Sequence, residues 1–192
     1  MPPKAKFTRE EIVDCAFSIV RESGMESLTA RELGSRLGSS ARPIFTVFNN
    51  MEEVKDAVIE KALELDKEYT MRGLQAKMPF KGVGMAYIEF AQNEPQLFRL
   101  LFMSESKEKY TVPSMIDMFN NVCHISDTIE GPFDLDKEEA AKLFQHMWIY
   151  THGIATMCVN GLCTYTQEEI SQRLTEIFLA LIHEKKSKES EA

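Results

Sequence analysis

Apolar residues return every three to four positions along most of this chain, with polar residues between them, which is the period of an amphipathic helix. The first such stripe is Ile12, Val13, Ala16, Phe17 and Val20, opened by Thr8 with Glu11 and followed by Gly24. A threonine with a glutamate three residues later is a capping box, and Phe7 with Ile12 brackets it as a hydrophobic staple. Thr29 with Glu32 repeats the box before a short helix whose inward pair is Leu33 and Leu37, and Gly38 supplies the backbone that ends it. Ser40 is placed to cap the next helix, with Pro43 in its first turn. Ile44 and Phe48 then turn inward, and Ala41, Arg42, Phe45 and Thr46 turn outward. Two short helices about a glycine-containing turn form a helix-turn-helix, an arrangement that lays its second helix in the DNA major groove. Asn50 with Glu53 caps a fourth helix, with Val54, Ala57, Val58, Lys61, Ala62 and Leu65 on one face.

Proline and glycine punctuate the rest of the chain. A helix is predicted after Met78-Pro79, through Met85, Ile88 and Phe90 to Asn93. Pro95 opens a short segment with Leu97, Leu100, Leu101 and Phe102, and Pro113 opens another through Met115, Ile116, Met118, Phe119 and Val122. Gly131-Pro132 is read as a break. Two long amphipathic helices close the pattern. The first is capped by Asp136 with Glu139 and carries Ala140, Phe144, Met147, Trp148, Thr151, Ala155 and Cys158. The second is capped by Thr166 with Glu169 and carries Ile170, Leu174, Ile177, Phe178 and Leu181. No stretch of useful length alternates with the period of a strand. The expected fold is all-α with about nine helices: a three-helix helix-turn-helix domain over 1–50, a linker helix over 51–76, and a second helical domain over 77–192.

Composition changes this picture little, whereas charge distribution changes it more. Apolar residues make up 44% of the 192, enough for a real core. The longest apolar run, 177–182, is too short to span a bilayer, and the first residues carry no apolar signal region, so a cytoplasmic protein is expected. Cys15, Cys123, Cys158 and Cys163 form no Cys-x-x-Cys pair, as befits a reduced, intracellular chain. The net charge of −8 argues against general attraction to nucleic acid. Residues 1–50, however, hold seven Lys/Arg against six Asp/Glu, while the remainder holds 15 against 24. Only the N-terminal part leaves phosphate attraction unopposed, and a surplus of one charge favours two copies acting together.

Over residues 7–62 the chain resembles the TetR family of transcriptional regulators. The likeness rests on Leu28-Thr-x-Arg-x-Leu33, Leu37-Gly-x-Ser40, Ile44-Phe-x-x-Phe48 and Glu52-Glu-Val54. It implies a ligand-responsive regulator, a repressor, that binds a palindromic DNA operator as a homodimer through its last two helices and is released by a small molecule. The DNA-facing candidates are Arg31, Ser39, Ser40, Ala41, Arg42, Pro43, Phe45, Thr46, Asn49, Asn50 and Lys55, with Lys4 and Lys6 as an arm along the backbone. Arg42 leads them, because a guanidinium pairs bidentately with guanine or phosphate. A solvated surface arginine is the alternative reading of Arg42, and a surface residue of the capping turn that of Arg31. Relatives usually carry Tyr at Phe45, often His at Val47 and commonly Lys at Met51. Three polar or cationic groups are thus apolar here, and an all-α dimer that has lost DNA binding and serves as a ligand-binding or interaction protein is the alternative.

The family likeness also points to the second domain as a small-molecule pocket. Met103, Met115, Phe119, Met147, Trp148 and His152 are the candidates, although each also serves as ordinary core filling. Trp148 through His152-Gly153 is similar to a Trp…His-Gly pattern in one class of TetR C-terminal domains. His146 and His152 lie about 240° apart around a helix, so they do not share an ion. No zinc-ligand spacing occurs, and no metal or other cofactor is expected. Nor is there a Gly-x-Ser-x-Gly, a phosphate-cradling glycine loop or a His-Glu-x-x-His, so an enzyme is not expected.

Overall fold

A computed structural model describes residues 6–104, 114, 125 and 127–191, with side chains to residue 184. Among these residues every regular element is helical. The α-helices are α1 (Arg9–Ser23), α2 (Ala30–Arg36), α3 (Met51–Leu74), α4 (Pro79–Asn93), α5 (Pro95–Phe98), α6 (Asp127–Phe133), α7 (Lys137–Val159) and α8 (Gln167–Glu191). Short 3₁₀ turns occupy Met25–Ser27 and Ile44–Thr46, and a π turn, Arg99–Met103, continues α5. Met115, Ile116, Met118, Phe119, Val122, Cys123 and His124 lie outside the described residues, as does Lys4.

Helix starts follow the caps. Thr8 accepts the Glu11 N–H at 3.1 Å, and the Glu11 carboxylate accepts the Thr8 N–H at 2.8 Å. Asp136 with Glu139 and Thr166 with Glu169 close the same reciprocal box. A cap of this kind contributes about 1 kcal/mol. Thr8→Ala is therefore expected to lower stability by about that amount, read as a small fall in the thermal midpoint of α1's unit. The Thr29 box is only half made. Its hydroxyl accepts the Glu32 N–H, but the Glu32 carboxylate turns to Arg36, which also pairs with Glu22.

The chain forms two compact units, Met1–Asp66 with Glu94–Glu105, and Lys67–Asn93 with Ser106–Ala192. In the first, Ile12, Ala16, Ile19 and Val20 of α1 are buried with Leu33, Ile44, Phe48, Val54, Val58 and Ala62. Helix α5 packs against α1 and adds the buried Leu97 and Phe98. A bidentate ion pair fixes this contact: Arg21 donates through Nε and Nη2 to Glu94, whose side chain is 4% exposed. The Arg21 guanidinium, half in solvent, neutralises a carboxylate that could not be buried alone. Asp66, in α3, is buried with no such partner among the described residues: its Oδ1 accepts no hydrogen bond, and burial pushes its pKa up to about 7.

In the second unit, α4 lies against α7 and α8. Ile88, Phe90, Ala140, Ile154, Ala155, Ile170 and Leu174 are buried. Phe178 meets Phe133 edge-on at 4.8 Å and Phe80 at 5.8 Å. The sequence break expected at Gly131-Pro132 comes later, since both residues lie inside α6. Pro132 brings no N–H to the last turn of α6, and the helix stops at the next residue. Asp134, at φ +54°, turns the chain, and Leu135 N–H closes onto Glu130 O at 2.9 Å.

Candidate nucleic-acid interface

The helix-turn-helix is built around Gly34. Helix α2 ends with Gly38 at φ +63°, and the Gly38 and Ser39 N–H groups donate to Ser35 O and Gly34 O at 3.0 and 2.8 Å. This closure folds the chain directly over Gly34, where an added Cβ would lie 2.8 Å from the Ser40 carbonyl carbon and 2.9 Å from the Ala41 nitrogen. Only glycine leaves room for the turn, a requirement the sequence pattern did not single out.

The following segment departs from the α-helix expected after Ser40. It is a 3₁₀ turn, with Ile44, Thr46 and Val47 N–H groups bonded three residues back at 3.1, 3.2 and 3.1 Å. Proline explains the change. Pro43 has no N–H to offer a Ser40 cap at the third helical position, and proline disfavours helical backbone at Arg42. No side chain caps the turn. Ile44 is fully buried, Ala41 and Val47 are half-buried, and Arg42 and Phe45 are exposed.

The other candidates divide by what already holds them. Thr46 is exposed, yet its hydroxyl donates to Pro43 O at 2.6 Å. Asn49 gives its amide and its backbone N–H to Glu53, at 2.6 and 2.9 Å. These bonds, side chain first, hold the Glu53 carboxyl below its ordinary pKa. Asn50 caps α3 by accepting the Glu53 N–H at 3.0 Å, and Lys55 pairs with Glu52 at 2.8 Å. Ser39 receives the Lys6 ammonium at 3.1 Å, Ser40 is exposed, and Ala41 and Pro43 are half-buried. Arg31 and Arg42 are exposed and enter no ion pair among the described residues. Arg9, over the Phe48 ring at 4.7 Å, is a further cation of this unit that sequence reasoning did not place among the DNA-facing residues.

The proposed pocket residues fall in different places. Met103 is exposed and belongs to the first unit, whereas Met147, Trp148 and His152 belong to α7 in the second. Met147 is buried. Trp148 stacks on His152, 13° from parallel with ring centroids 5.1 Å apart. Tyr87 Oη lies 2.9 Å from His152 Nδ1, and burial pushes the imidazole pKa down, favouring its neutral form. Among the described residues no group of His, Cys, Asp or Glu is assembled to hold a metal, and no helix is long and apolar enough to cross a membrane.

Residues 80–183 match the family model described as tetracyclin repressor-like, C-terminal domain. Over 95 residues the chain is 24% identical to the class D tetracycline repressor protein of Escherichia coli. It is equally similar to the class H protein of Photobacterium damsela subsp. piscicida. Each match covers 50% of this chain and 39% of the relative, so it spans about two fifths of those repressors' length. A solved structure of a protein of unknown function from Rhodococcus sp. RHA1 shares the fold, with a TM-score of 0.71 at 18% identity over 93% of this chain and 97% of that one. With more than half of its length matched to the family model, and the helix-turn-helix skeleton ahead of it, this chain belongs to the TetR family of transcriptional regulators.

Proposed function

We propose that this chain is a DNA-binding repressor that grips a palindromic operator as a homodimer and lets go when a small molecule binds its second domain. The observation that carries the reading is the exposed pair Arg31 and Arg42, unengaged by carboxylates among the described residues, on a helix-turn-helix whose turn admits only glycine at position 34. Residues 1–50 are the DNA-binding head, 51–76 its linker helix, and 77–192 the effector and dimerisation domain. Two heads in successive major grooves require half-site centres about 34–36 Å apart. An effector releases the DNA by favouring a dimer whose head spacing no longer fits, through its differential affinity for the two states.

Helices α7 and α8 are the proposed dimer face. Ile149 and Leu179 are 50% and 57% exposed, and Gly153 leaves open space at its surface. Such a face suits a four-helix bundle formed with a second copy. Met147, Trp148 and His152, with Met103, Met115 and Phe119, are the proposed effector contacts. The compartment consistent with this role is the cytoplasm.

Fluorescence anisotropy against DNA flanking the protein's own gene tests the reading. Saturable, sequence-dependent binding is expected, and Arg42→Ala should weaken it by about 1–3 kcal/mol without changing the oligomeric state. Absence of saturable binding at low salt would instead favour a ligand-binding or interaction protein that has kept the fold, in line with the apolar Phe45, Val47 and Met51.

A further inference from the structure

Two thiols meet where α7 ends. Gly161, at φ +68°, turns the chain, and the Gly161 and Leu162 N–H groups donate to Cys158 O and Met157 O, each at 3.0 Å. The Cys163 N–H reaches the same Met157 O at 3.4 Å, a carbonyl bonded directly to the Cys158 nitrogen. The turn thus sets the backbones of Cys158 and Cys163 side by side, the close approach that a disulfide requires. Both thiols are free and half-buried. Their side chains share one set of polar neighbours. The Gln92 amide donates to Cys158 Sγ at 3.9 Å and to Tyr165 O at 3.1 Å. A hydrogen bond with Cys163, above all, pushes the Tyr165 phenol up, and the nearby Cys158 sulfur adds to the effect. The Arg173 guanidinium stands over the Tyr165 ring at 5.0 Å.

Thiols that react with oxidants are part-exposed with a cation close by, and a neighbouring thiol can carry the product on to a disulfide. Burial pushes the Cys158 thiol up and keeps it protonated, whereas Cys163 sits between the exposed Leu162 and Thr164. Cys158 lies about 180° around α7 from Ile149, on the side that meets Gln92 of α4, and so clear of the proposed dimer face. We infer that Cys158 and Cys163 form a peroxide-sensitive dithiol that closes into a reversible disulfide. In the first step the Cys163 sulfur attacks hydrogen peroxide: an S–O bond forms, the O–O bond breaks, and the departing hydroxide takes the Cys163 proton as water. In the second the Cys158 sulfur attacks the oxidised Cys163 sulfur. The S–S bond forms, the S–O bond breaks, and the hydroxide leaves as water with the Cys158 proton. The pair of thiols gives up two electrons, and the peroxide that accepts them ends as two waters. The bond staples the last turn of α7 to the loop that leads into α8. In a reducing compartment such a bond is transient and serves redox sensing.

The test treats the full chain, reduced and then freed of reductant, with a small excess of hydrogen peroxide. Titration of thiols after denaturation should show the loss of two of the four cysteine thiols, and dithiothreitol should restore them. Cys158 and Cys163 fall in one tryptic peptide, residues 143–173, because no Lys or Arg lies between Lys142 and Arg173. With free thiols blocked before digestion, mass spectrometry should find that peptide unblocked and two hydrogens lighter than its dithiol form. Cys158→Ser and Cys163→Ser should each abolish this species. In Cys158→Ser, dimedone should label the sulfenic acid now stranded at Cys163. A peptide that is fully blocked, or that gains only oxygen, overturns the inference, and so does a disulfide to Cys15, to Cys123 or to a second copy of the chain. Dimedone labelling of Cys158 in Cys163→Ser, with none of Cys163 in Cys158→Ser, overturns the order of attack.

Discussion

Valine at position 34 is expected to abolish sequence-specific DNA binding and to cost about 3 kcal/mol of stability, at the upper end of what overpacking does. The obstacle is backbone rather than side chain. The added Cβ would sit 2.8 Å from the Ser40 carbonyl carbon and 2.9 Å from the Ala41 nitrogen, and neither can rotate aside. Moving the segment away breaks the 2.8 Å bond from Ser39 N–H to Gly34 O, which closes α2. Arg42 and Phe45 hang on the stretch that would have to move. Gly34→Ala should act in the same direction with a smaller fall. Thermal denaturation followed by circular dichroism, together with anisotropy on DNA flanking the protein's own gene, measures both effects. A Gly34→Val protein that melts and binds like the wild type would show that the turn does not position Arg42.

Asp66 should make the protein less stable as the medium becomes more alkaline. Its carboxyl is buried with Oδ1 unbonded, and burial raises its pKa from 3.8 to about 7 in the folded chain. Between those values the folded state keeps a proton that the unfolded state has released. Stability therefore falls as pH rises from about 4 to about 7, and the loss is complete above that window. A shift of about three units corresponds to about 4 kcal/mol. Asp66→Asn keeps the shape, removes the titration, and should be more stable than wild type at pH 8 but close to it at pH 4. Urea denaturation of both proteins across that range provides the measurement. Parallel curves for the two proteins would refute the role of Asp66, because every other carboxylate contributes equally to each.

What the sequence made legible is mostly local. A cap is written within four residues, so Thr8 with Glu11, Asp136 with Glu139 and Thr166 with Glu169 appear where the pattern placed them, and α4 runs over Pro79–Asn93 as its apolar positions required. Where local signals competed, the pattern alone did not decide. Glu32 had both Thr29 and Arg36 within reach and its carboxylate took Arg36. Pro43 was acceptable in a first helical turn, yet it disfavours helical backbone at Arg42, and the segment is a 3₁₀ turn with no side-chain cap. At the candidate interface, residue types showed which groups can meet DNA but not which were already engaged. Thr46, Asn49 and Lys55 each satisfy a neighbour, and this depends on rotamers that spacing does not encode. Least visible was the pairing of Arg21 with Glu94, 73 positions apart, since no periodicity links α1 to α5.

That pairing has an engineering consequence. Because Glu94–Glu105 folds with Met1–Asp66, the covalent chain crosses between the two units three times. A fragment that stops at residue 66 or 76 keeps Arg21 but loses Glu94, Leu97 and Phe98, laying bare the apolar flank of α1 and inviting aggregation. Grafting this head onto a foreign sensor would thus mean transplanting two separate pieces of polypeptide, with the insertion of 94–105 as necessary to the chimera as the helix-turn-helix itself.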